Sequence, residues 1–342
     1  MDKFKVFVGI DVSKDWLDFS TFAPDSATCY TSRCANTSQG IAKVFKEIRK
    51  VCKASSNELL FCLEHTGVYC VQFLNYAAKQ SLLVWQESAW KIRRTQSPRG
   101  KSDITDAARI AEYAYRYKDK ARIWVPEPNT ISRLKDLMAL RERLMTARTM
   151  LIVPKSEAKT SGKGQAALDM ERFSDPVVSV LDKQVKAVDA QIDELIAQNP
   201  EYQQNMELAC SIPAIGRITA LSLIMYTGNF TLFDNPRKLA CYCGVAPFEY
   251  TSGTSIRGKT RVSHFANKTL KKAIHMAALS SLRYNEEMKA YFIRKVSEGK
   301  NKMSVINAIR NKLLHCIMAV VSRKSPWVMK SSKTEEHFVP VA

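Results

Sequence analysis

Four carboxylates are the residues of this sequence that could do chemistry together. Two of them, Asp103 and Asp106, lie three apart in residues 101–117, KSDITDAARIAEYAYRY. Apolar residues at Ile104, Ala107, Ala108, Ala111, Ala114 and Tyr115 recur at helical spacing, which predicts a helix beginning near Ser102. On its first turn both carboxylates share one face, roughly 5–6 Å apart at Cβ. Two anions that close repel each other. A helix N-terminus offsets part of the repulsion, and a divalent cation offsets far more. The alternative is that Asp103 caps the helix and Asp106 is a solvated first-turn acid.

The other two acids follow apolar runs. Asp11 ends the β-rich run of residues 4–10, FKVFVGI, and Glu64 comes directly after residues 59–63, LLFCL. A fully apolar run of that length fits a buried central strand. An acid at its end is costly to bury unpaired, so Glu64 either reaches solvent at the sheet edge or meets a cation. For Asp11 the alternative is a turn aspartate between two strands.

The elements that must position these acids alternate between β and α. After the turn at residues 12–15, residues 16–22 read as a second strand, and residues 40–51 as a helix with Ile41, Val44, Phe45 and Ile48 on one face. The HTGVY turn leads to a helix over 71–78, and residues 82–85 read as a further strand. Residues 90–99, WKIRRTQSPR, are basic and aromatic and predict a loop that approaches a nucleic-acid backbone, or else a solvated charge run. Pro126 and Pro128 mark the exit from this first region.

Composition narrows the partners. Lys and Arg number 52 against 33 Asp and Glu, a formal charge of +19 over 342 residues. That excess points to a polyanion, nucleic acid first and an acidic membrane surface second. No uninterrupted apolar run approaches 18 residues, and the first residues turn polar before a signal-peptide core forms. The nine cysteines show no C-x-x-C pair and no regular spacing, which fits free thiols in a reducing cytoplasm.

Residues 130–200 carry dense charge and helical periodicity, interrupted at Pro154 and the SEAKTSGKGQ segment. Val177, Leu181, Val185, Val188, Ile192 and Leu195/Ile196 recur near heptad spacing. Two long helices on a flexible linker predict a helical hairpin or coiled-coil arm, an oligomerisation or spanning element. Beyond Glu207, residues 208–228 read as helix, turn and helix, with Gly216 placed where a turn exposes amides to phosphate; a plain αα-hairpin reads the same. Phe233–Asn235 precede a helix with Arg237. The Gly, Ser and Thr clusters of residues 242–264, YCGVAPFEYTSGTSIRGKTRVSH, exclude a regular element, and a bare SG pair is usually a turn. Residues 268–321 are helical and basic, with Arg294, Lys295, Lys300, Lys302, Arg310 and Lys312 forming a backbone-tracking surface.

VGID around Asp11, LEHTGVY around Glu64 and KSDITDA around Asp103 and Asp106 resemble the three motifs of the DEDD transposases. These are recombinases of the IS-one-ten insertion-sequence family, related to the Piv DNA invertase. The resemblance spans about residues 5–320. It implies an α/β N-terminal domain of RNase H-like (RuvC-like) fold over 1–125 and a helical coiled-coil arm over 126–200. A mostly α-helical C-terminal transposase domain over 201–325 and a tail over 326–342 follow. It implies that Asp11, Glu64, Asp103 and Asp106 bind a divalent metal, Mg²⁺ by default, since oxygen ligands suit that ion.

YTSGTSIRG matches the family's C-terminal motif, with Ser252 at the catalytic serine and Ser255, Arg257 and Gly258 on the same motif. The chain then departs from the pattern: Ser263-His264-Phe265-Ala266-Asn267 and Leu270-Lys271-Lys272 stand where relatives carry Ser-Lys, a Gly and Leu-Arg-Arg. His264 is left as a general base or as a plain surface histidine. The resemblance implies a transient phosphoserine link to DNA and acids and serine from different protomers of a dimer or tetramer. It also implies choice of donor and target DNA by a structured guide RNA, in a bacterial cytoplasm and away from membranes. Nucleic-acid contacts are expected from Arg93, Arg94, Arg99, Lys101, Gly216, Arg217, Arg237, Arg257, Lys259, Lys271 and Lys272. Two rival readings are a RuvC-like metal-dependent nuclease or resolvase and a non-enzymatic nucleic-acid-binding scaffold.

Overall fold

The computed structural model describes residues 4–24, 30–65, 67–95, 103–253 and 256–328. The chain divides into two compact units, Met1–Pro126 and Glu127–Ala342.

Unit 1 is built on a five-stranded sheet. Val6–Val12 (β1), Trp16–Phe22 (β2), Thr31–Ala35 (β3), Leu59–Glu64 (β4) and Leu83–Glu87 (β5) lie in the order β3-β2-β1-β4-β5. β2 is antiparallel to β1 and to β3, whereas β1, β4 and β5 run parallel. Parallel neighbours need crossovers; Val71–Lys79 (α2) supplies the one between β4 and β5. Ser38–Cys52 (α1) begins where the Thr37 hydroxyl accepts from the Gly40 amide, 3.2 Å away.

Both sheet faces are covered, which is why β1 and β4 read as nearly continuous apolar runs. Val8, Ile10, Leu17, Phe61 and Leu63 pack against Ile41, Val44 and Ile48 of α1 and Phe73 and Ala77 of α2. On the opposite face Phe7, Leu60, Cys62 and Trp85 meet Ile110, Tyr113 and Ala114 of Asp103–Arg116 (α4). The segment read as a loop before that helix is a short helix over its first part, Ala89–Arg94 (α3), anchored by the buried Ile92; the predicted loop is corrected there. The anchor is one apolar residue in a basic stretch, too little periodicity to register as a helix.

Unit 2 opens with Asn129–Thr160 (α5) and Gly164–Ala197 (α6). The interruption expected at Pro154 is corrected: α5 runs on through that proline, and the linker is only residues 161–163. An internal proline costs about 3 kcal/mol. Cross-hairpin ion pairs on both sides of it, Arg148–Asp182 at 2.5 Å and Lys155–Asp175 at 2.6 Å, help offset that cost. With Arg141–Asp189 at 2.9 Å and Lys159–Glu171 at 3.5 Å they form a ladder, bases on α5 and acids on α6, that fixes an antiparallel register.

The core of unit 2 surrounds Arg217–Thr227 (α8). Ala220, Leu221, Leu223 and Ile224 are fully buried, so this helix is apolar nearly all round. Pro200–Cys210 (α7), Pro236–Tyr242 (α9), Lys268–Tyr284 (α10), Glu286–Ser297 (α11) and Lys302–Arg323 (α12) complete the helical part. By length and composition α12 would also cross a membrane, but Ile309, Leu313, Leu314 and Ile317 are wholly buried in this core. Just past Pro326, the Trp327 amide donates to the Ser211 hydroxyl at 2.8 Å.

Two further sequence readings fail in this unit. Residues 247–262 form a regular hairpin, Pro247–Ser252 (β6) paired with Ile256–Val262 (β7), although the Gly, Ser and Thr clusters seemed to exclude one. Those clusters supply the turn, and Phe248, Tyr250, Ile256 and Val262 supply the strands. Arg310 does not lie on a basic surface. It is 8% exposed, donating to His275 Nδ1 at 2.7 Å and to Asn307 Oδ1 at 3.4 Å. It follows Ile309 on a helix buried over much of its length, so its charge says nothing of its exposure.

Candidate functional site

Register brings the first two acids together. β1 and β4 pair Gly9 with Cys62 and Ile10 with Leu63. The next residues along, Asp11 and Glu64, therefore stand side by side where the ladder ends, about 5 Å apart along the hydrogen-bonding direction. Alternation places both on the face that carries Phe7, Cys62 and α4.

That row extends across two more strands. Asp18 of β2 pairs with Asp11, and Glu87 of β5 pairs with Glu64. Like charges on adjacent strands repel, and the outer two have their own cations. Arg33 holds the buried Asp18 with two bonds, 2.8 and 3.0 Å. Lys91 lies 3.0 Å from Glu87, whose carboxylate also accepts from the Ser88 amide. Burial, then the charge of Glu87, pushes the Tyr113 phenol up to about 12; protonated, it hydrogen-bonds that carboxylate. Burial first, then Glu87 and Glu64, also pushes the Cys62 thiol up, so it stays neutral beneath the row.

The sequence reading missed Asp18 and Glu87. Glu87 follows the apolar run of residues 82–85 after a single Gln86, and that signal was available. Asp18 gave none, because its neighbour Asp11 is set by pairing.

Gly9 lets α4 reach this face. A Cβ there would fall 2.0 Å from the Ala107 carbonyl oxygen and 2.3 Å from the Ala111 nitrogen. Only a missing side chain allows the helix backbone to rest on β1, two residues before Asp11. Gly9→Ala should therefore lift α4 and destabilise the protein by about 1–3 kcal/mol, the usual cost of overpacking. Urea unfolding checks this; an unchanged midpoint would mean that α4 is not seated on β1.

Asp106, on the first turn of α4, is half-buried and bonded to Arg109 at 2.9 Å. Asp103 is the first residue of the helix, and its side chain lies outside the described residues. Among the described residues no three metal-ligating side chains gather into one cluster. What fits a hard divalent cation is the donor set: carboxylate oxygens only, at the carboxyl ends of neighbouring parallel strands and on the helix that covers them.

The other candidates are spread over both units. Arg93 and Arg94 are exposed on α3; Arg99 and Lys101 lie outside the described residues. Gly216 caps α8, but the left-handed residue of that turn is Ala214, φ 79°. Arg217 is engaged with α6, to Asp189 at 2.9 Å and Asp193 at 2.6 Å. Arg237 is exposed at the start of α9, where the Asn235 side chain accepts from its amide. Lys271 and Lys272 sit on the first turn of α10, Lys272 lying 3.7 Å from Glu142.

Ser252 is the last residue of β6, paired with Ile256 and followed by Gly253 at φ +57°, a conformation that favours glycine. The side chains of Ser252, Arg257 and Lys259 and all of Ser255 lie outside the described residues. His264 is exposed just beyond β7. The acids thus belong to unit 1 and Ser252 to unit 2.

Two family models match the chain. Residues 8–153 match a family model described as Transposase, of the DEDD IS110 type, and residues 206–292 match the Transposase IS116/IS110/IS902 family. The chain is 26% identical over 332 residues to the pilin gene-inverting protein of Moraxella bovis, covering 94% of this chain and 98% of that one. It is 22% identical over 254 residues to the transposase for insertion sequence element IS1111A of Coxiella burnetii, covering 66% and 68%.

Proposed function

The chain belongs to the DEDD transposases of the IS116/IS110/IS902 family, enzymes of DNA recombination, and on that premise we propose that it exchanges DNA strands with a carboxylate-held cation and a serine nucleophile. The observation that carries this reading is the acid row: Asp11 beside Glu64 on the sheet face covered by α4, the helix of Asp103 and Asp106. The strand order, with β2 antiparallel between β1 and β3 and with β1, β4 and β5 parallel, supports an RNase H-like core.

Asp11, Glu64, Asp103 and Asp106 would hold the ion, Mg²⁺ by donor chemistry. Bound there, it would polarise the scissile phosphate and stabilise charge developing on its oxygens. The Ser252 hydroxyl attacks phosphorus; an Oγ–P bond forms, the bond to a deoxyribose oxygen breaks, and that oxygen leaves with a proton. A DNA hydroxyl later attacks the phosphoserine, rejoining strands and restoring the serine. Because acids and serine lie in different units, docking of a unit, or of a second protomer in a dimer or tetramer, must unite them. We assign the α5–α6 hairpin to the coiled-coil arm over 126–200, the rest of unit 2 to the transposase domain over 201–325, and the choice of sites to a structured guide RNA. The enzyme would work in the cytoplasm, where its DNA lies.

The rival within enzymes is a RuvC-like nuclease, with water in place of serine. Similarity along 94% of the chain to proteins named for inverting a gene favours exchange over hydrolysis.

Chelation tests the whole reading. In excess EDTA strand exchange should vanish while DNA is still retained, because retention rests on the +19 charge. Affinity should then fall steeply with salt, by about 10³ between 50 and 200 mM if six phosphates are neutralised. Full exchange in chelator, or a flat salt response, would overturn the reading.

A further inference from the structure

Beside the acid row, unit 1 holds a cavity of about 760 Å³ that the proposed reaction does not use. It lies among β5, α3 and α4, within the range of small-molecule sites, about 300–1,000 Å³. Four aromatic residues give it its walls. Tyr113 packs against the buried Trp85, centroids 5.3 Å apart, and against Tyr117 at 4.9 Å, making a continuous π surface. Trp90 lines it from α3 and is 46% exposed.

Cations accompany the rings. The Arg94 guanidinium lies 5.0 Å from the centre of Trp90, and the Lys120 ammonium 5.2 Å from that of Tyr117. Lys91 and Arg122 add positive charge to the lining, against Glu87 and Asp119, and Glu87 is already bonded to Lys91. An aromatic cluster that served only as core would be closed over. Among the described residues this one is open, and its rim is basic.

Aromatic faces interleaved with cations suit a flat π-system carrying phosphates, the chemistry by which proteins hold single-stranded nucleic acid. A base stacked inside a duplex offers no free face and cannot enter. We propose that this cavity takes the base of one unpaired nucleotide, DNA or RNA, stacked at Trp90, with Arg94 and Lys120 on the flanking phosphates. The inference deepens the reading of the chain as a recombinase and rests on it for the nature of the partner. It also places the strand: Glu87 in the lining is the register partner of Glu64, so an unpaired nucleotide held here lies one strand from the acids.

The test is fluorescence anisotropy with the full-length protein in EDTA, so that no strand is cut and the result does not depend on the acids or Ser252. The probes are labelled oligothymidylate, labelled oligouridylate and a labelled blunt duplex. Trp90→Ala should weaken the single strands about tenfold, the loss of one stacked base. Trp90→Phe should stay within about twofold of wild type, and duplex binding should not move. The salt slope should be unchanged by Trp90→Ala, since no charge is lost. The single strand bound more tightly identifies the source as DNA or RNA. Equal weakening of duplex and single strands, or none of either, would overturn the proposal. Loss of exchange in Asp11→Asn, with Trp90-dependent binding intact, would leave it standing.

Discussion

Asp11→Asn will abolish strand exchange, by about a thousandfold, while DNA retention stays near that of the unaltered protein. The substitution keeps the shape of the side chain and removes a charge from the middle of the acid row, between Asp18 and Glu64. Losing one preorganised electrostatic group at a reacting phosphate typically costs about 10²–10³ in rate. Glu64→Gln and Asp106→Asn should fall as far. Retention should persist, because it rests on a surface carrying a +19 excess that one substitution barely alters.

Asp18→Asn is the informative contrast. Asp18 is buried and held by two bonds from Arg33, so its loss should lower stability by about 1–3 kcal/mol and leave exchange measurable in the folded fraction. An exchange assay with Mg²⁺, run beside a gel shift and a thermal melt, separates the two classes. Full activity in Asp106→Asn would sink the four-acid site.

The second large effect concerns Ser252. A hydrolase releases free 5′-phosphate and 3′-hydroxyl ends, whereas a serine recombinase conserves the bond energy in a protein–DNA ester. An unactivated serine is a weak nucleophile and gains from a polarised phosphate. Labelled suicide DNA run on a denaturing gel should show a covalent band with the unaltered protein. None should appear with Ser252→Ala, and the band should return with Ser255→Ala. The two serines lie three residues apart in the same YTSGTSIRG segment, so each serves as the control for the other. Free cut ends from Ser252→Ala at the unaltered rate would transfer the site to a RuvC-like nuclease.

Much of unit 1 was legible along the chain because strand and helix periodicity are local. Residues 16–22 as a strand, the α1 face of Ile41, Val44, Phe45 and Ile48, and a helix starting beside Asp103 all follow from spacing alone. The four candidate acids were legible too, since each closes or opens such an element. Turn chemistry was less so: the Ser/Gly/Thr cluster after Tyr250 names a bend, but whether two strands close on it depends on pairing as distant as Pro247 with Val262.

Tertiary structure decided what no local window contains. Pairing register put Asp18 and Glu87 into the row with Asp11 and Glu64, and a register is a relation between distant segments. The same holds for Gly9, an ordinary strand glycine until the Ala107 carbonyl lies where its Cβ would be. Charges behaved likewise. In sequence Arg217 and Arg310 belong to the basic excess that speaks for nucleic acid; in the fold the first is bound by Asp189 and Asp193 and the second is buried beside His275. The sequence by itself determined the elements, the acids and the sign of the surface. Which of its charges face a partner was left to packing, because burial and ion pairing are set by neighbours that only folding brings close.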